Sequence, residues 1–161
     1  MINFYKKWRI KRQNFFLIIG FLPFLLVTCD NSYDSSIPDF PVHLELNLLV
    51  SPNTKLKNSV NQFLIIDEKS NLKATDRIGF SGILVYTDFD GKYRAFDLCC
   101  PYEAQRDIKI MPNEKGEAVC EKCGSVFFIG YGIGNLISGP AKQPLKRYKA
   151  IVQGDVLYIY N

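Results

Sequence analysis

The sequence predicts a mainly β domain, a small sandwich of stacked antiparallel sheets with two cysteine-bearing loops. Three observations lead there. Val42, Leu44, Leu46 and Leu48 alternate with polar residues at period two. Two hairpin turns, Asp90-Gly91 and Gly154-Asp155, each lie between runs rich in β-branched and aromatic residues. No stretch after residue 30 keeps a helical period. With 161 residues, 47% of them apolar, the chain can bury one sizeable core and has little room for a second.

The first segment, residues 1–28, reads as an address. Lys6, Lys7, Arg9, Lys11 and Arg12 form a basic start, and an apolar run of fourteen residues follows from Phe15 to Thr28. A bilayer span takes about 20 residues, so the run fits a signal-peptide core instead. Its end, Leu26-Val27-Thr28-Cys29, resembles the lipobox of bacterial lipoproteins, although Thr28 stands where Gly, Ala or Ser is usual. The resemblance implies a lipid on Cys29 and a membrane-anchored place in the cell envelope. The alternative is an uncleaved signal anchor with Cys29 a plain thiol. Residues 29–41 are rich in Asp, Asn, Ser, Tyr and Pro and are expected to form an exposed tether, with a reach of roughly 20 Å.

The domain proper is expected over residues 42–161. Its first strand spans Val42 to Leu48, with His43, Glu45 and Asn47 on the polar side. His43 is the chain's one histidine, and on that side it reads as an ordinary strand-edge residue. Phe63 to Ile66 form a second strand. Ile83 to Tyr86 and Tyr93 to Phe96 make one hairpin, and Tyr148 to Val152 with Val156 to Tyr160 make another. Gly130 to Gly134 reads as a flexible lead into the loop at Gly139-Pro140. Lys142, Lys146, Arg147 and Lys149 read as a solvated strand face, or as a docking patch for lipid or a partner.

Setting Cys29 aside leaves Cys99, Cys100, Cys120 and Cys123, two pairs about twenty residues apart at strand ends. Two such loops held together by a β-scaffold can clamp one metal ion or a small iron–sulfur cluster. The C-x-x-C pair has the bite for it, because a tight turn aims both sulfurs inward.

The run Cys120-Glu121-Lys122-Cys123-Gly124-Ser125-Val126-Phe127, then Gly132, Gly139-Pro140-Ala141 and Pro144-Leu145 with Tyr148, resembles the second half of a Rieske [2Fe–2S] domain. Cys100-Pro101-Tyr102 stands at the first half. The resemblance covers about residues 79–161 and implies a Rieske-like β-sandwich, a 2Fe–2S cluster and one-electron transfer with an envelope partner. It places Cys100 and Cys120 at the two cysteine positions of the family. Tyr102 and Cys123 fall at the two histidine positions. Ser125 would supply the hydroxyl that bonds a cluster sulfur, Phe127 replaces a tyrosine common in the family, and Gly139-Pro140 would close over the cluster.

Both family histidines are absent, so the ordinary ligand set cannot form. A fourth ligand must come from Cys99, Tyr102, Glu103 or solvent. Adjacent residues of an extended chain point to opposite faces, so Cys99 reads as a buried core residue before it reads as a ligand. Three readings of the site stay open: a cluster with altered ligands, zinc on the same thiolates, or no metal with a disulfide between the loops. A cluster without histidine ligands should fall below the Rieske range of about −150 to +300 mV, toward the about −400 mV of all-cysteine ferredoxins. The leader bears on this choice. Lys11-Arg12 is not a twin-arginine signal, and a chain exported unfolded cannot carry a cluster.

Other function classes drop out. Beyond the leader the chain holds 15 Lys and Arg against 16 Asp and Glu, so no nucleic-acid partner is expected. One histidine excludes a two-imidazole site, and no Ser-His-Asp or Cys-His dyad or carboxylate pair stands out. At most the protein is an electron-transfer component of an oxidoreductase system. The competing class is a structural or interaction module stapled by zinc or a disulfide.

Overall fold

The computed structural model describes residues 35–161; the leader, Cys29 and the start of the tether lie outside them. The described strands are β1 (Val42–Asn47), β2 (Gln62–Ile66), β3 (Arg77–Ile78), β4 (Ile83–Thr87), β5 (Tyr93–Asp97), β6 (Ile110–Pro112), β7 (Glu117–Cys120), β8 (Val126–Phe128), β9 (Asn135–Ser138), β10 (Arg147–Gln153) and β11 (Val156–Tyr160), with one short helix, α1 (Thr54–Asn58). They form a seven-stranded sheet in the order β2-β4-β5-β10-β11-β1-β3 and a four-stranded sheet in the order β6-β7-β8-β9. Every pairing is antiparallel. The expected β class and both expected hairpins are present.

The larger sheet is barrel-like. Leu44 and Leu46 of β1 share one core with Leu64 and Ile66 of β2, although β1 and β2 lie toward opposite sides of the strand order. A cleft of about 540 Å³ separates them and is lined in part by Leu72 of the loop that follows β2. In β1 the alternating residues Val42, Leu44 and Leu46 are buried and those between them exposed, as the period-two pattern requires.

Strand β4 is buried along its whole length. Its residues divide by parity: Ile83 and Val85 enter the core of the large sheet, while Leu84 and Tyr86 enter a second core. That second core lies against the small sheet and contains Phe96, Leu98, Ile110, Phe127, Cys100 and Cys120. The cysteines are therefore built into a packed apolar layer and do not sit on an outer loop.

Four local expectations are corrected. Helix α1 escaped the sequence pattern because its five residues include one buried side chain, Leu56, which gives no period to detect. The tether is laid on the domain at its end: Ile37 is 1% exposed, and the Ser36 hydroxyl donates to the Pro101 carbonyl at 2.6 Å. Lys146 holds the same stretch, donating to the carbonyls of Ile37 and Pro38 and to Asp39, so it is not a solvated member of a basic patch. The glycines from Gly130 are packed turn positions. A Cβ on Gly132 would stand 2.1 Å from the Arg94 side chain.

Candidate metal centre

The chain reaches the site from both sheets. Strand β5 ends at Asp97, and Cys99 and Cys100 follow directly. Asp97 is fully buried and fixes this exit by accepting the backbone N–H groups of Phe80 (3.0 Å), Ser81 (3.3 Å) and Cys99 (2.8 Å) and the Tyr148 hydroxyl (2.6 Å). Four donors offset the desolvation that a buried carboxylate suffers. Cys120 closes β7, and the turn through Cys123 leads into β8.

The sulfurs of Cys100, Cys120 and Cys123 all lie within 4.8 Å of one another. Cys100 and Cys123, from different loops, are 3.6 Å apart. Cys100 and Cys120 are fully buried, and Cys123 is partly open to solvent. Among the described residues all four cysteines are free thiols.

Cys99 does not join them. Its thiol faces the carbonyls of Cys100 and Gln105 at 3.5 and 3.4 Å, and its backbone bridges Lys109. The alternation of extended chain sends it into the protein while Cys100 turns to the site. Tyr102 is 54% exposed. The Glu103 side chain is only 11% exposed and pairs with Lys122 of the other loop at 3.0 Å.

Ser125 ties the second loop to the Gly139-Pro140 loop. Its Oγ lies 3.1 Å from the Cys123 sulfur and accepts the Ala141 N–H at 3.2 Å. Gly139 packs so closely that a Cβ there would stand 2.4 Å from the Ser125 Cα. With φ at +103°, this is a position for glycine on two counts. Phe127 is fully buried in the second core, so it supports the site by packing.

The thiols are not equivalent. Burial pushes Cys100 up to about 12, partly opposed by hydrogen bonds from the N–H groups of Glu103 and Tyr102, with Cys120 and Cys123 adding to the rise. Burial likewise takes Cys99 up to about 11. For Cys123 burial also opposes ionisation, but hydrogen bonds from the Ser125 hydroxyl and N–H, then contacts with Cys120 and Cys100, outweigh it and lower its value. Cys123 therefore becomes a thiolate, the form that binds metal or attacks an electrophile, more readily than Cys99 or Cys100.

Sequence reasoning found the three sulfurs, Ser125 and the Gly-Pro loop, which stand together. It missed Asp97 and Lys122, because a lone acidic or basic residue at a strand end carries no pattern. The fold and the site together define a mainly β protein with a compact three-thiol centre between two loops. No protein-family model matches this chain, and no curated protein matches it.

Proposed function

We propose that the protein binds one metal ion on Cys100, Cys120 and Cys123 as a lipid-anchored domain of the cell envelope. The observation that carries this is the 3.6 Å approach of Cys100 to Cys123 within a group of three sulfurs spanning 4.8 Å. Metal–sulfur bonds of about 2.3 Å in tetrahedral array leave sulfurs ~3.8 Å apart. Small side-chain turns bring all three onto one ion. The donor set suits zinc first and iron next. Zinc would staple the loops; with iron, the same centre could exchange one electron with an envelope partner.

A Rieske-like 2Fe–2S cluster is the second reading. It is favoured by the Ser125 hydroxyl beside a site sulfur and by the Gly139-Pro140 loop packed over it. Against it, Rieske ligation puts two ligands on each iron, and the motif resemblance would set Cys100, at a cysteine position, and Cys123, at a histidine position, on different irons, whereas here their sulfurs lie 3.6 Å apart.

Metal analysis and an absorption spectrum of natively purified protein test both. One zinc per chain, lost in Cys123→Ser, is the expected result. Two irons with acid-labile sulfide overturn the single-ion reading. Metal-free protein with four free thiols, whose stability ignores Cys100→Ser, Cys120→Ser and Cys123→Ser, overturns the site altogether. For the anchor, Cys29→Ala is expected to abolish lipid labelling, and unchanged labelling would rule Cys29 out as the acylated residue.

A further inference from the structure

The two cysteine loops are copies of one turn. In the first, Cys100-Pro101-Tyr102-Glu103-Ala104, the Ala104 N–H returns to the Cys100 carbonyl at 2.9 Å. In the second, Cys120-Glu121-Lys122-Cys123-Gly124, the Gly124 N–H returns to the Cys120 carbonyl at 2.8 Å. Each begins on a fully buried cysteine and ends on a left-handed residue, Ala104 at φ +49° and Gly124 at φ +72°. Glycine takes that conformation freely, whereas alanine resists it. The first loop therefore holds the turn against its own sequence. Laid on each other, the loops place Cys100 on Cys120 and Glu103 on Cys123.

We propose that Glu103 is the fourth ligand of the metal centre, which makes it a three-thiolate, one-carboxylate site. This rests on the metal-binding reading above and goes beyond it by closing the coordination sphere. The other two candidates face elsewhere: Cys99 is turned onto the Cys100 and Gln105 carbonyls, and Tyr102 is 54% exposed. Glu103 is mostly covered, and of the three its side chain is the one that spans the gap between the loops, reaching Lys122 at 3.0 Å. It lies outside the group of sulfurs gathered within 4.8 Å, so it must turn to join them. A covered carboxylate needs a cation. The Lys122 side chain, 52% exposed, can withdraw to water and leave that place to a divalent ion. Three sulfurs and one oxygen suit tetrahedral zinc or cobalt.

Anaerobic cobalt(II) titration of the full chain tests this, because the thiolate-to-cobalt absorption counts sulfurs and the d–d bands report the fourth donor. Glu103→Ala should keep the three-sulfur absorption, move the d–d bands and weaken cobalt binding about tenfold or more. Glu103→Cys should raise the charge-transfer intensity by about a third, as a fourth sulfur binds. Lys122→Ala should bind cobalt at least as tightly as wild type, since it removes a competitor for the carboxylate. The inference is overturned if Glu103→Ala leaves the bands and affinity unchanged or Glu103→Cys adds no intensity. It is equally overturned if Lys122→Ala weakens binding as much as Glu103→Ala, which would mark the pair as a structural clasp. No cobalt uptake by wild type, or uptake indifferent to Cys123→Ser, defeats the metal-site reading itself and this inference with it.

Discussion

The hydroxyl of Tyr148, on β10, donates a 2.6 Å hydrogen bond to the buried carboxylate of Asp97, at the end of β5. This bond links the large sheet to the segment that delivers Cys99 and Cys100. Tyr148→Phe should cost about 1.5–3 kcal/mol, the range for a hydrogen bond to a charged group, read by denaturant unfolding. Burial and the Asp97 charge raise the Tyr148 pKa above its ordinary value of 10.0. A group whose value is raised on folding contributes fully below its unfolded pKa and loses that contribution as pH climbs toward the folded value. The wild-type advantage over Tyr148→Phe should therefore hold below pH 10 and shrink above it. A difference that grows with alkalinity would contradict the assignment.

Ser125→Ala removes the hydroxyl that lowers the Cys123 pKa and orphans the buried Ala141 N–H. In metal-free, reduced protein, iodoacetamide should modify Cys123 before the other described cysteines, and the variant should react more slowly near neutral pH. The unpaired N–H should cost about 1–3 kcal/mol. Equal alkylation rates in the two proteins would remove Ser125 from any part in tuning the thiol.

Gly139→Ala asks a Cβ to occupy space 2.4 Å from the Ser125 Cα at a φ of +103°. Strain of this kind costs on the order of 1–3 kcal/mol. The melting temperature should drop, and metal affinity should drop with it, because the loop that clashes is the one that holds Ser125. Gly91→Ala is the control, since its φ is also positive, at +77°, but nothing lies within 4 Å of the added carbon. It should lower stability and leave metal affinity alone.

Cys99→Ala separates packing from ligation. The thiol is fully buried, faces backbone carbonyls and is not one of the three sulfurs gathered within 4.8 Å. A loss of about 1 kcal/mol is expected, typical of a single buried substitution. The metal content should match wild type, whereas Cys120→Ser should lose it. Loss of metal from Cys99→Ala would show that the adjacent cysteines exchange roles.

The larger sheet was legible because its strands run five residues or more in β1, β2, β4, β5, β10 and β11, long enough for alternation or a hairpin turn to register. The small sheet was not, since β6 to β9 hold three or four residues each and get their partners from the fold. Cys120 and Cys123 were legible through their spacing and the glycine after them. The role of Cys99 followed from strand alternation. Glu103 could be named only as one of three candidates, because its rank depends on exposure and on Lys122, a residue nineteen places away in the chain. The end of the tether was misjudged for a related reason: a composition of Ser, Pro and Asp describes its water-loving side chains and says nothing of where Ile37 finds a pocket.

That misjudged stretch has a mechanical consequence. Ser36 is fastened to Pro101, the neighbour of Cys100, and to Gln143, which follows the Gly139-Pro140 loop. Tension applied through the N-terminal chain is delivered first to these bonds and to the Lys146 clasp. The load therefore enters the domain at the first cysteine loop, ahead of every strand of the barrel. Pulling on the N-terminal chain would thus load the backbone beside Cys100, through Pro101, before it reaches the sheets.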